Sequence, residues 1–591
     1  MVPELNQLPK VNNYSVREKI IGVWRYGVNT LFIFPLNEPY NTIISASKTA
    51  WKSKLNVYKN IKKLDCAYPT GLLSISAYLK KHNPDINIKI LDLNAVMNQV
   101  AQRKNETSED FENYKFEDLI TEALSLVDGF IPHIIGISTL FCSNYKDLKP
   151  LTSFLRKIYP EGLIVCGGHL ASSIYDRIYE DDIEIDAVVF GEGEIPFLEL
   201  VGAFLSGREV EYLSLSPCWI TKEKSKPEMG FTPEIKALDD LDEIPPFDLS
   251  MLVFPEVYYN STRYFFVIES QEDQREMFIF STRGCPFSCI FCASQVVHGH
   301  KVRSHSVDRI KSDILYYNEK YNITRFIFYD DHFLFNKARA IEMLNFISQN
   351  NFIAEIPTPA FFSIDEDVAS AMKSAGIKEV NITIETGNEN TFKNIMHKPG
   401  SLKKANEAVD FLHKEGIIAV SNILIGLPGE TRESIEKGLE YLLTTNIDWF
   451  QCFVAAPLPG SKLYKICEEN EYFVPNYDIS LMDYKKCLIR TEDFTPEYIE
   501  KKVYEMNLKL NFTNNYHIRT GNYDIALKLF ERIINSVIDT HAFAYYFAAK
   551  CCSKLHLDEK YQVYKSKYKE MVTIYPFWRE YAIQFNLEDL D

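Results

Sequence analysis

The stretch Thr282-Arg-Gly-Cys-Pro-Phe-Ser-Cys-Ile-Phe-Cys292 determines how the rest of the chain is interpreted, because it brings three thiols within eight residues. These thiols are Cys285, Cys289 and Cys292. The apolar run Met277 to Phe280 just before it predicts a strand. Gly284 and Pro286 disfavour a helix through the first cysteine. The thiols are therefore predicted to lie on a loop that follows a strand.

Three clustered thiols indicate a metal centre, which could be a zinc ion or an iron–sulfur cluster. A structural zinc ion takes four protein ligands, and His298 and His300 are the residues that could complete a zinc set here. A four-iron cluster held by three thiolates instead leaves one iron without a protein ligand, where a small molecule can bind. The sequence favours the cluster, because no fourth cysteine lies close by.

Length and composition describe an ordinary globular chain with room for three or four domains. It has 591 residues, of which 46% are hydrophobic and 25% charged. The net charge of −17 argues against nucleic-acid binding, which relies on clustered Lys and Arg. We find no signal peptide and no apolar run long enough to span a membrane. Twelve cysteines without a pairing rhythm suit a reducing compartment, so we expect a soluble, cytoplasmic protein.

The first part of the chain, residues 1–215, alternates between strand-like and helix-like segments. Strands are predicted at 31–34, 87–91, 133–138, 163–166 and 185–190, and helices at 70–81, 116–127, 145–158 and 195–205. This alternation predicts an α/β domain with a doubly wound parallel sheet. Ligands of such sheets bind at the carboxyl ends of the strands. Polar and glycine residues follow three of these strands, namely Ser138 and Thr139, then Gly167, Gly168 and His169, then Gly191 to Glu194.

A second alternation follows a proline-rich linker predicted at 216–275. Six strand–helix units between 276 and 490 predict a partial (β/α)6 barrel, whose site should lie at the carboxyl ends of its strands. The second barrel strand ends at Asp330-Asp331, which could bind substrate, orient a cofactor or cap the next helix. Residues 491–591 are predicted to form an all-α tail with helix pairs like those of tetratricopeptide repeats.

The cysteine spacing C-x3-C-x2-C after a strand resembles that of the radical S-adenosylmethionine (SAM) superfamily. The resemblance implies a [4Fe–4S] cluster whose open iron binds SAM and whose electron cleaves it to a 5′-deoxyadenosyl radical. It implies SAM contacts by Phe291 of the cysteine loop and by residues at the barrel strand ends, namely Glu385, Gly387, Asn422 and Gly426. Glu385 matches the acidic residue that holds the ribose hydroxyls in this family. The basic residue that many relatives carry after the third strand is absent, and Arg303 and Lys398 are candidates to replace it.

Residues 30 to 205 resemble the cobalamin (B12)-binding domain of cobalamin-dependent radical SAM enzymes. The resemblance rests on Tyr68 to Leu72, Gly167 to His169 and Gly191 to Glu194, in this order ahead of the cysteine loop. It implies cobalamin contacts by residues of these loops, namely Thr70, Gly71, Ser138, Thr139, Gly167, Gly168, His169, Gly191, Glu192 and Gly193. Many such domains ligate cobalt through Asp-x-His-x-x-Gly, but Asp65 to Gly71 contains no His. A His from this loop is therefore not expected below the cobalt.

Together these resemblances imply an enzyme that methylates an unactivated carbon or phosphorus centre of a small molecule or natural product. They also imply an electron donor such as flavodoxin or ferredoxin. Cyclisation, rearrangement or oxidation with the same cofactors is the first alternative. A tRNA methylthiotransferase is the second, with Cys66, Cys142 and Cys166 as candidates for another cluster. An iron–sulfur redox sensor is the non-enzymatic alternative. The catalytic residues and the oligomeric state are not evident from the sequence.

Overall fold

The computed structural model describes residues 27–49, 64, 66–107, 111, 113–259, 274–482, 484–587 and 590. These residues form two compact units. The first contains the described residues before 260 together with Ser294–Gly299 and Ile479–Leu481. The second contains the remaining described residues. Among the described residues, no helix has the length and the apolar composition needed to cross a lipid bilayer.

The N-terminal unit is built on a six-stranded sheet in the order β2-β1-β3-β4-β5-β6. The strands are β1 Asn29–Phe34, β2 Asn87–Asp92, β3 Ile134–Ser138, β4 Leu163–Gly167, β5 Ala187–Val189 and β6 Trp219–Ile220. The first five are parallel, and β6 is antiparallel to β5. Because β1 lies between β2 and β3, the strand order reverses there, and ligands of such sheets bind at this point of reversal.

Helices connect these strands on both sides of the sheet. They are α1 Tyr40–Thr49, α2 Thr70–His82, α3 Leu93–Thr107, α4 Phe116–Ser125, α5 Asn144–Ile158, α6 His169–Ser173, α7 Tyr175–Glu180, α8 Glu194–Leu205 and α9 Glu209–Leu215. The central strands read as nearly continuous apolar runs because both of their faces are buried. The predicted doubly wound sheet is confirmed.

Residues 216–259, predicted as the first part of a linker, pack within the N-terminal unit. Strand β6 extends the sheet, and Leu238, Leu241 and Ile244 are buried with Tyr78 of α2. Prolines exclude regular helix in this stretch but leave its apolar side chains free to cover the sheet's flank. The rest of the predicted linker, up to residue 273, lies outside the described residues.

The second unit contains six parallel strands in two three-stranded groups, in the orders β11-β10-β7 and β12-β13-β14. The strands are β7 Glu276–Ile279, β10 Arg325–Phe328, β11 Ile353–Glu355, β12 Glu379–Asn381, β13 Ile418–Ile425 and β14 Trp449–Val454. Two short strands, β8 Thr282–Arg283 and β9 Arg303–Ser304, form an antiparallel pair that the sequence did not predict. The predicted partial barrel, with six strand–helix units, is confirmed.

The helices of the barrel follow its strands. They are α10 Gln295–His298, α11 Val307–Tyr321, α12 Lys337–Gln349, α13 Glu366–Ser374, α14 Leu402–Lys414, α15 Arg432–Leu442 and α16 Lys462–Glu469, of which α10 belongs to the N-terminal unit. Several begin with a side-chain cap: the Ser306 hydroxyl, for example, accepts from the amide of Arg309 at the start of α11.

The tail is helical, as predicted. Its helices are α17 Pro496–Leu508, α18 Tyr516–Arg519, α19 Tyr523–Arg532, α20 Ala542–Lys554, α21 Asp558–Ile574 and α22 Pro576–Gln584. Their buried aromatic residues share one core with Val420 of β13 and Trp449 of β14. Asn511 also exchanges two hydrogen bonds with the backbone of Phe450, at 2.8 and 2.7 Å. The tail therefore packs on the barrel strands.

Candidate active site

The loop that carries the three thiols is held at its start by the carboxylates at the end of β10. Asp330 accepts hydrogen bonds from the amide of Thr282 and from the hydroxyl of Ser281, the latter at 2.8 Å. Asp331 accepts from the amide of Gly284 at 2.8 Å. The sequence left three roles open for this pair, and holding the cysteine loop was not among them. Both carboxylates position the backbone that leads into the first cysteine.

The far end of the loop is tied to two other barrel loops. The amide of Ile290 donates to the carbonyl of Met396 at 3.1 Å, and the carbonyl of Ile290 accepts from Leu463 at 2.7 Å. Within the loop, the amide of Cys292 donates to the carbonyl of Cys289 at 3.1 Å. Hydrogen bonds at both ends thus fix the position of the loop between β8 and Cys292, which contains no helix or strand.

The three cysteines are half-buried. Burial raises the pKa of the Cys285 thiol and raises that of Cys289 to about 11, with Lys398 opposing the rise. Thiols in such surroundings become thiolates when a cation binds, because metal binding displaces the proton. The donor set therefore fits a metal centre that supplies its own positive charge.

The structure does not support a zinc set. Within the described ranges, no group of three or more His, Cys, Asp or Glu side chains is arranged to hold a metal ion. His298 lies in the N-terminal unit and is hydrogen-bonded to Glu192. A four-iron cluster binds one thiolate at each of three different irons, so its ligands need not converge on a single point. The half-buried cysteine loop therefore fits a cluster better than a single ion.

A buried ion pair lies beside the cysteine loop. Glu385 and Lys398 have side chains only 11% exposed, and their Oε1 and Nζ atoms are 3.5 Å apart. The Lys398 Nζ also lies 5.6 Å from the centre of the Phe291 ring. Burial raises the pKa of Glu385, and the ammonium of Lys398 opposes this shift. The structure thus brings together three residues that the sequence singled out for contacts with SAM.

Backbone geometry at Glu385 is unusual for a residue with a side chain. Its φ is +66°, in the left-handed region that most residues avoid. Its amide donates to the carbonyl of Asn422 at 2.9 Å, and its carbonyl accepts from Leu424 at 2.7 Å. Strained backbone of this kind persists only where its surroundings hold it. Here strand β13 fixes the carboxylate beside Lys398.

The other predicted SAM contacts lie on β13 and the turns around it. The Oδ1 atom of Asn422 accepts from Asn381 at 2.9 Å. Gly426 has a φ of +93°, and its amide donates to Glu430 at 2.9 Å. Close packing explains why residue 387 is a glycine: an added Cβ would lie 2.2 Å from the carbonyl of Gly438 in α15. Arg303, the alternative to Lys398, is buried on β9 in register with Arg283.

Glu430 is a buried carboxylate that sequence reasoning placed in a motif without assigning it a role. Its Oε2 accepts from the amides of Gly426 and Leu427, both at 2.9 Å, so it fixes the turn after β13. Burial raises the pKa of Glu430 to about 7, and the two amides lower it. The sequence pattern that could have indicated this role is an acidic residue four positions after a glycine that ends a strand.

At the carboxyl edge of the N-terminal sheet, Thr139 connects β3 with β4. Its amide and its hydroxyl donate to the carbonyl of Gly167, at 2.8 and 3.1 Å, and its hydroxyl accepts from Ala171 at 3.1 Å. Gly168 has a φ of +98°, and an added Cβ would lie 2.6 Å from the Thr139 carbonyl. The half-buried residues Ser138 and His169 flank this junction.

The loop after β5 is tied to the chain that follows the cysteines. The Glu192 side chain is 2% exposed, and its Oε1 lies 2.7 Å from Nδ1 of His298. Gly191 has a φ of +81°, and Gly193 packs so that an added Cβ would lie 2.5 Å from Ile75. The segment Ser294–Gly299 is therefore part of the N-terminal unit although it begins two residues after Cys292.

Thr70 and Gly71, two of the predicted cobalamin contacts, lie in the first turn of α2. Nothing lies within 4 Å of the position where a Cβ on Gly71 would stand, and Thr70 begins α2 half-buried. Asp65 lies outside the described residues, and residues 66–71 contain no His. The described part of this segment therefore offers no imidazole, and the glycines after β4 and β5 allow close packing of the loops that surround it.

The three cysteines proposed for a second cluster are buried thiols engaged in the fold. Asn98 donates to the sulfur of Cys66 at 3.2 Å, and the sulfur of Cys166 lies 3.8 Å from the hydroxyl of Thr139. Burial raises the pKa of Cys142 and of Cys166 to about 12. Cys66 and Cys166 thus have polar contacts within the fold of the N-terminal unit.

Comparisons with known proteins agree with this geometry. Residues 279–442 match the model of the radical SAM superfamily, and residues 62–201 match that of the B12 binding domain. An uncharacterized methyltransferase, PH0819 of Pyrococcus horikoshii, is 30% identical over 65% of this chain and 80% of its own length. Cytidylyl-2-hydroxyethylphosphonate methyltransferase of Streptomyces wedmorensis is 26% identical over 72% of this chain and 82% of its own.

Among solved structures, the cobalamin-dependent SAM radical enzyme OxsB, with aqua-cobalamin bound, has the same fold. It matches with a TM-score of 0.58 at 13% identity, over 94% of this chain and 82% of that one. Fold and cysteine loop define a radical SAM protein preceded by a B12-binding domain. The similarity to PH0819 shows that this chain belongs to the radical SAM superfamily, among members with a B12-binding domain. The family is enzymatic, and its two domains imply a [4Fe–4S] cluster, SAM and cobalamin.

Replacing Asp330 by alanine is expected to lower the iron content of the purified protein. The change removes the acceptor of Thr282 and Ser281, and unsatisfied buried donors cost about 1–3 kcal/mol each. Asp330→Asn keeps an acceptor and should retain more iron. The exposed Asp308→Ala is the control. Iron per chain after anaerobic reconstitution is the measurement, and equal iron in Asp330→Ala and Asp308→Ala would contradict the role assigned to Asp330.

Glu430 should make the protein less stable as the pH rises through about 7, because burial raises its folded-state pKa from 4.5 to about 7. A raised pKa means that the folded state binds the proton more tightly, so this contribution is complete below about pH 4.5 and lost above 7. The loss is on the order of 3 kcal/mol at most. Glu430→Gln keeps an acceptor for both amides and should flatten the slope.

The measurement is urea unfolding of both proteins between pH 5 and 8.5. Glu433→Gln is the control, because Glu433 lies three residues further on, in the first turn of α15, and is exposed. If the free energy of unfolding of Glu430→Gln falls with pH as steeply as that of the wild type, the pH dependence belongs to another group.

Proposed function

We propose that this protein is a cobalamin-dependent radical SAM methyltransferase that acts on an unactivated carbon or phosphorus centre of a small molecule. The observation that carries the proposal is the anchored cysteine loop beside the buried Glu385–Lys398 pair, in a chain that also holds a B12-binding domain. Two relatives named as methyltransferases support the reaction type.

Each part of the barrel site has a proposed role. Cys285, Cys289 and Cys292 hold the cluster, and Asp330 and Asp331 keep their loop in place. When bound, the cluster supplies the electron that cleaves SAM, and cobalamin carries the methyl group.

The Glu385 carboxylate offers only acceptors, which suits the two ribose hydroxyls of SAM. The Lys398 ammonium, paired with it at 3.5 Å, lies where it can also meet the SAM carboxylate. Phe291 provides an apolar surface close to Lys398. Asn422 and the turn at Gly426, fixed by Glu430, flank the adenine.

In the N-terminal unit, the cobalamin is held by the glycine-rich loops after β4 and β5 and by the start of α2. Gly71 leaves open space there. Residues 66–71 contain no His, so this segment would supply no imidazole to a bound cobalamin. An electron donor such as flavodoxin or ferredoxin supplies the reducing equivalents, and the net charge of −17 argues against a nucleic-acid substrate.

Anaerobic purification with hydroxocobalamin, followed by iron and cobalt analysis, tests the cofactors together. About four irons and one cobalt per chain support the proposal, whereas about eight irons support a methylthiotransferase. Turnover separates the reaction types. Methyl transfer adds one methylene unit to the product and releases S-adenosylhomocysteine beside 5′-deoxyadenosine. Without the added methylene, cyclisation, rearrangement or oxidation is favoured, and a protein that never cleaves SAM after reduction is a redox sensor.

A further inference from the structure

His332 is a buried imidazole at the carboxyl end of β10 that the site described so far does not use. It follows Asp330 and Asp331, and the residue is 6% exposed. Within the described part of the chain, its Nδ1 is buried and has no hydrogen-bond partner. A buried polar atom without a partner costs about 1–3 kcal/mol, so its retention calls for an explanation.

The ring of His332 lies among phenylalanines from three different barrel loops. Its centre is 5.5 Å from that of Phe287, which stands between Cys285 and Cys289 on the cysteine loop. Phe335, in the same loop as His332, is at 5.9 Å, and Phe362, after β11, is at 6.2 Å. Phe287 and Phe362 also meet edge to face at 5.5 Å. The loops after three neighbouring strands thus converge on one imidazole.

This cluster has the composition of a small-molecule subsite rather than of a core. Phe335 is 55% exposed and Phe287 and Phe362 are half-buried, so the aromatic surface reaches solvent. Binding sites are typically lined by apolar and aromatic side chains with a few polar atoms that fix orientation. Burial lowers the pKa of His332, with Asp331 opposing, so the ring is neutral near pH 7. A neutral imidazole nitrogen either donates or accepts one hydrogen bond, depending on its tautomer.

We propose that His332 is a substrate-binding residue, which holds a hydroxyl-bearing apolar ring of the substrate through Nδ1 while Phe287 and Phe362 contact its apolar surface. Because Nδ1 is closed to solvent in this structure, the surrounding phenylalanines move when the substrate binds. A hydroxyl is the matching group because it can both donate and accept, whichever tautomer is present. The assignment deepens the proposed function by naming the class of substrate, and it relies on that function only in taking the ligand to be the substrate.

The test is a fluorine-NMR titration of the full-length, cluster-reconstituted protein with 4-fluorophenol, which carries one aromatic ring and one hydroxyl. Wild-type protein should give a saturable shift that persists in the presence of SAM. His332→Phe keeps a ring of similar size but removes the nitrogen, and should bind about tenfold more weakly. His332→Gln restores a polar group and should recover part of the affinity. Loss of the wild-type shift on adding SAM would assign the residue to the cofactor and overturn the proposal.

The unfolding temperature is the second measurement. It distinguishes the proposed role from a purely structural one, because replacing a structural histidine should lower it. If Nδ1 has no protein partner, His332→Phe should raise the unfolding temperature, because a buried polar atom is replaced by an apolar one. His541→Phe is the matched control, since Nδ1 of His541 accepts from the amide of Ala544 at 3.2 Å. That variant should lower the unfolding temperature.

Besides loss of the shift on adding SAM, three results would overturn the proposal: no saturable shift with wild-type protein, equal affinity in His332→Phe, or a lower unfolding temperature in His332→Phe. Absence of cobalt or of a methylated product would contradict the proposed function but would leave these binding and stability results unchanged. The two proposals can therefore fail separately.

Discussion

Replacing Cys289 by alanine is expected to abolish the reductive cleavage of SAM and to reduce the iron content of the protein. With two thiolates left, a four-iron cluster loses a protein ligand and a second iron becomes open. The loop itself should survive, because its anchors are the backbone hydrogen bonds to Asp331 and Met396 and do not involve the thiol. A loss of at least about 1000-fold is expected, since the cofactor carries the chemistry and the protein only positions it.

The measurement is the yield of 5′-deoxyadenosine after chemical reduction under anaerobic conditions, together with iron analysis and the spectrum of the reduced cluster. Cys552→Ala is the matched control, because Cys552 is a buried thiol on helix α20 of the tail. That variant should cleave SAM as the wild type does. An unchanged yield of 5′-deoxyadenosine from Cys289→Ala would refute the assignment of the cluster.

Removing the carboxylate of Glu385 should weaken SAM binding by at least about 100-fold, because two hydrogen bonds to a charged acceptor are lost at about 1.5–3 kcal/mol each. The substitution by alanine also leaves the Lys398 ammonium, 11% exposed, without its partner. Glu385→Gln keeps the shape and one acceptor and should lose less, about tenfold. Both variants retain the left-handed backbone, so its strain does not distinguish them.

Equilibrium binding of SAM to the reconstituted, unreduced protein is the measurement. Glu389→Ala is the control, since Glu389 lies four residues further on and forms an exposed ion pair with Lys393. Surface pairs of this kind contribute little, so its affinity should not change. Equal affinities in Glu385→Ala and Glu389→Ala would show that the ribose is held elsewhere.

Much of the fold could be predicted from the sequence, because apolar runs and helical spacing alternate cleanly in both halves. The five parallel strands of the first sheet and the six strands of the barrel follow from this alternation. Strand β6 and the pair β8–β9 could not be predicted, because each of these three strands has only two residues. A strand that short has too few residues for a period-two pattern to be recognised.

The candidate site could be predicted where the chemistry requires a particular residue type. It could be predicted less well where a residue's role depends on which other residues the fold places beside it. The thiols and Glu385 were singled out from their motifs. The function of Asp330 and Asp331 in holding the cysteine loop was missed, because their partners are backbone amides almost fifty positions earlier in the chain. His332 was missed as a site residue because a lone histidine after a strand carries no pattern. Its significance depends on three phenylalanines that only the fold brings together.

The N-terminal unit is assembled from three separate stretches, since Ser294–Gly299 and Ile479–Leu481 complete the part before residue 260. Domains usually fold as units while the ribosome is still at work. Here the partner of Glu192 is synthesised more than a hundred residues after it, and the last piece arrives later still. A nascent chain therefore gains the Glu192–His298 contact only after all six strands of the sheet have been synthesised, and a gene fragment that stops at the end of the B12-binding domain would lack that contact.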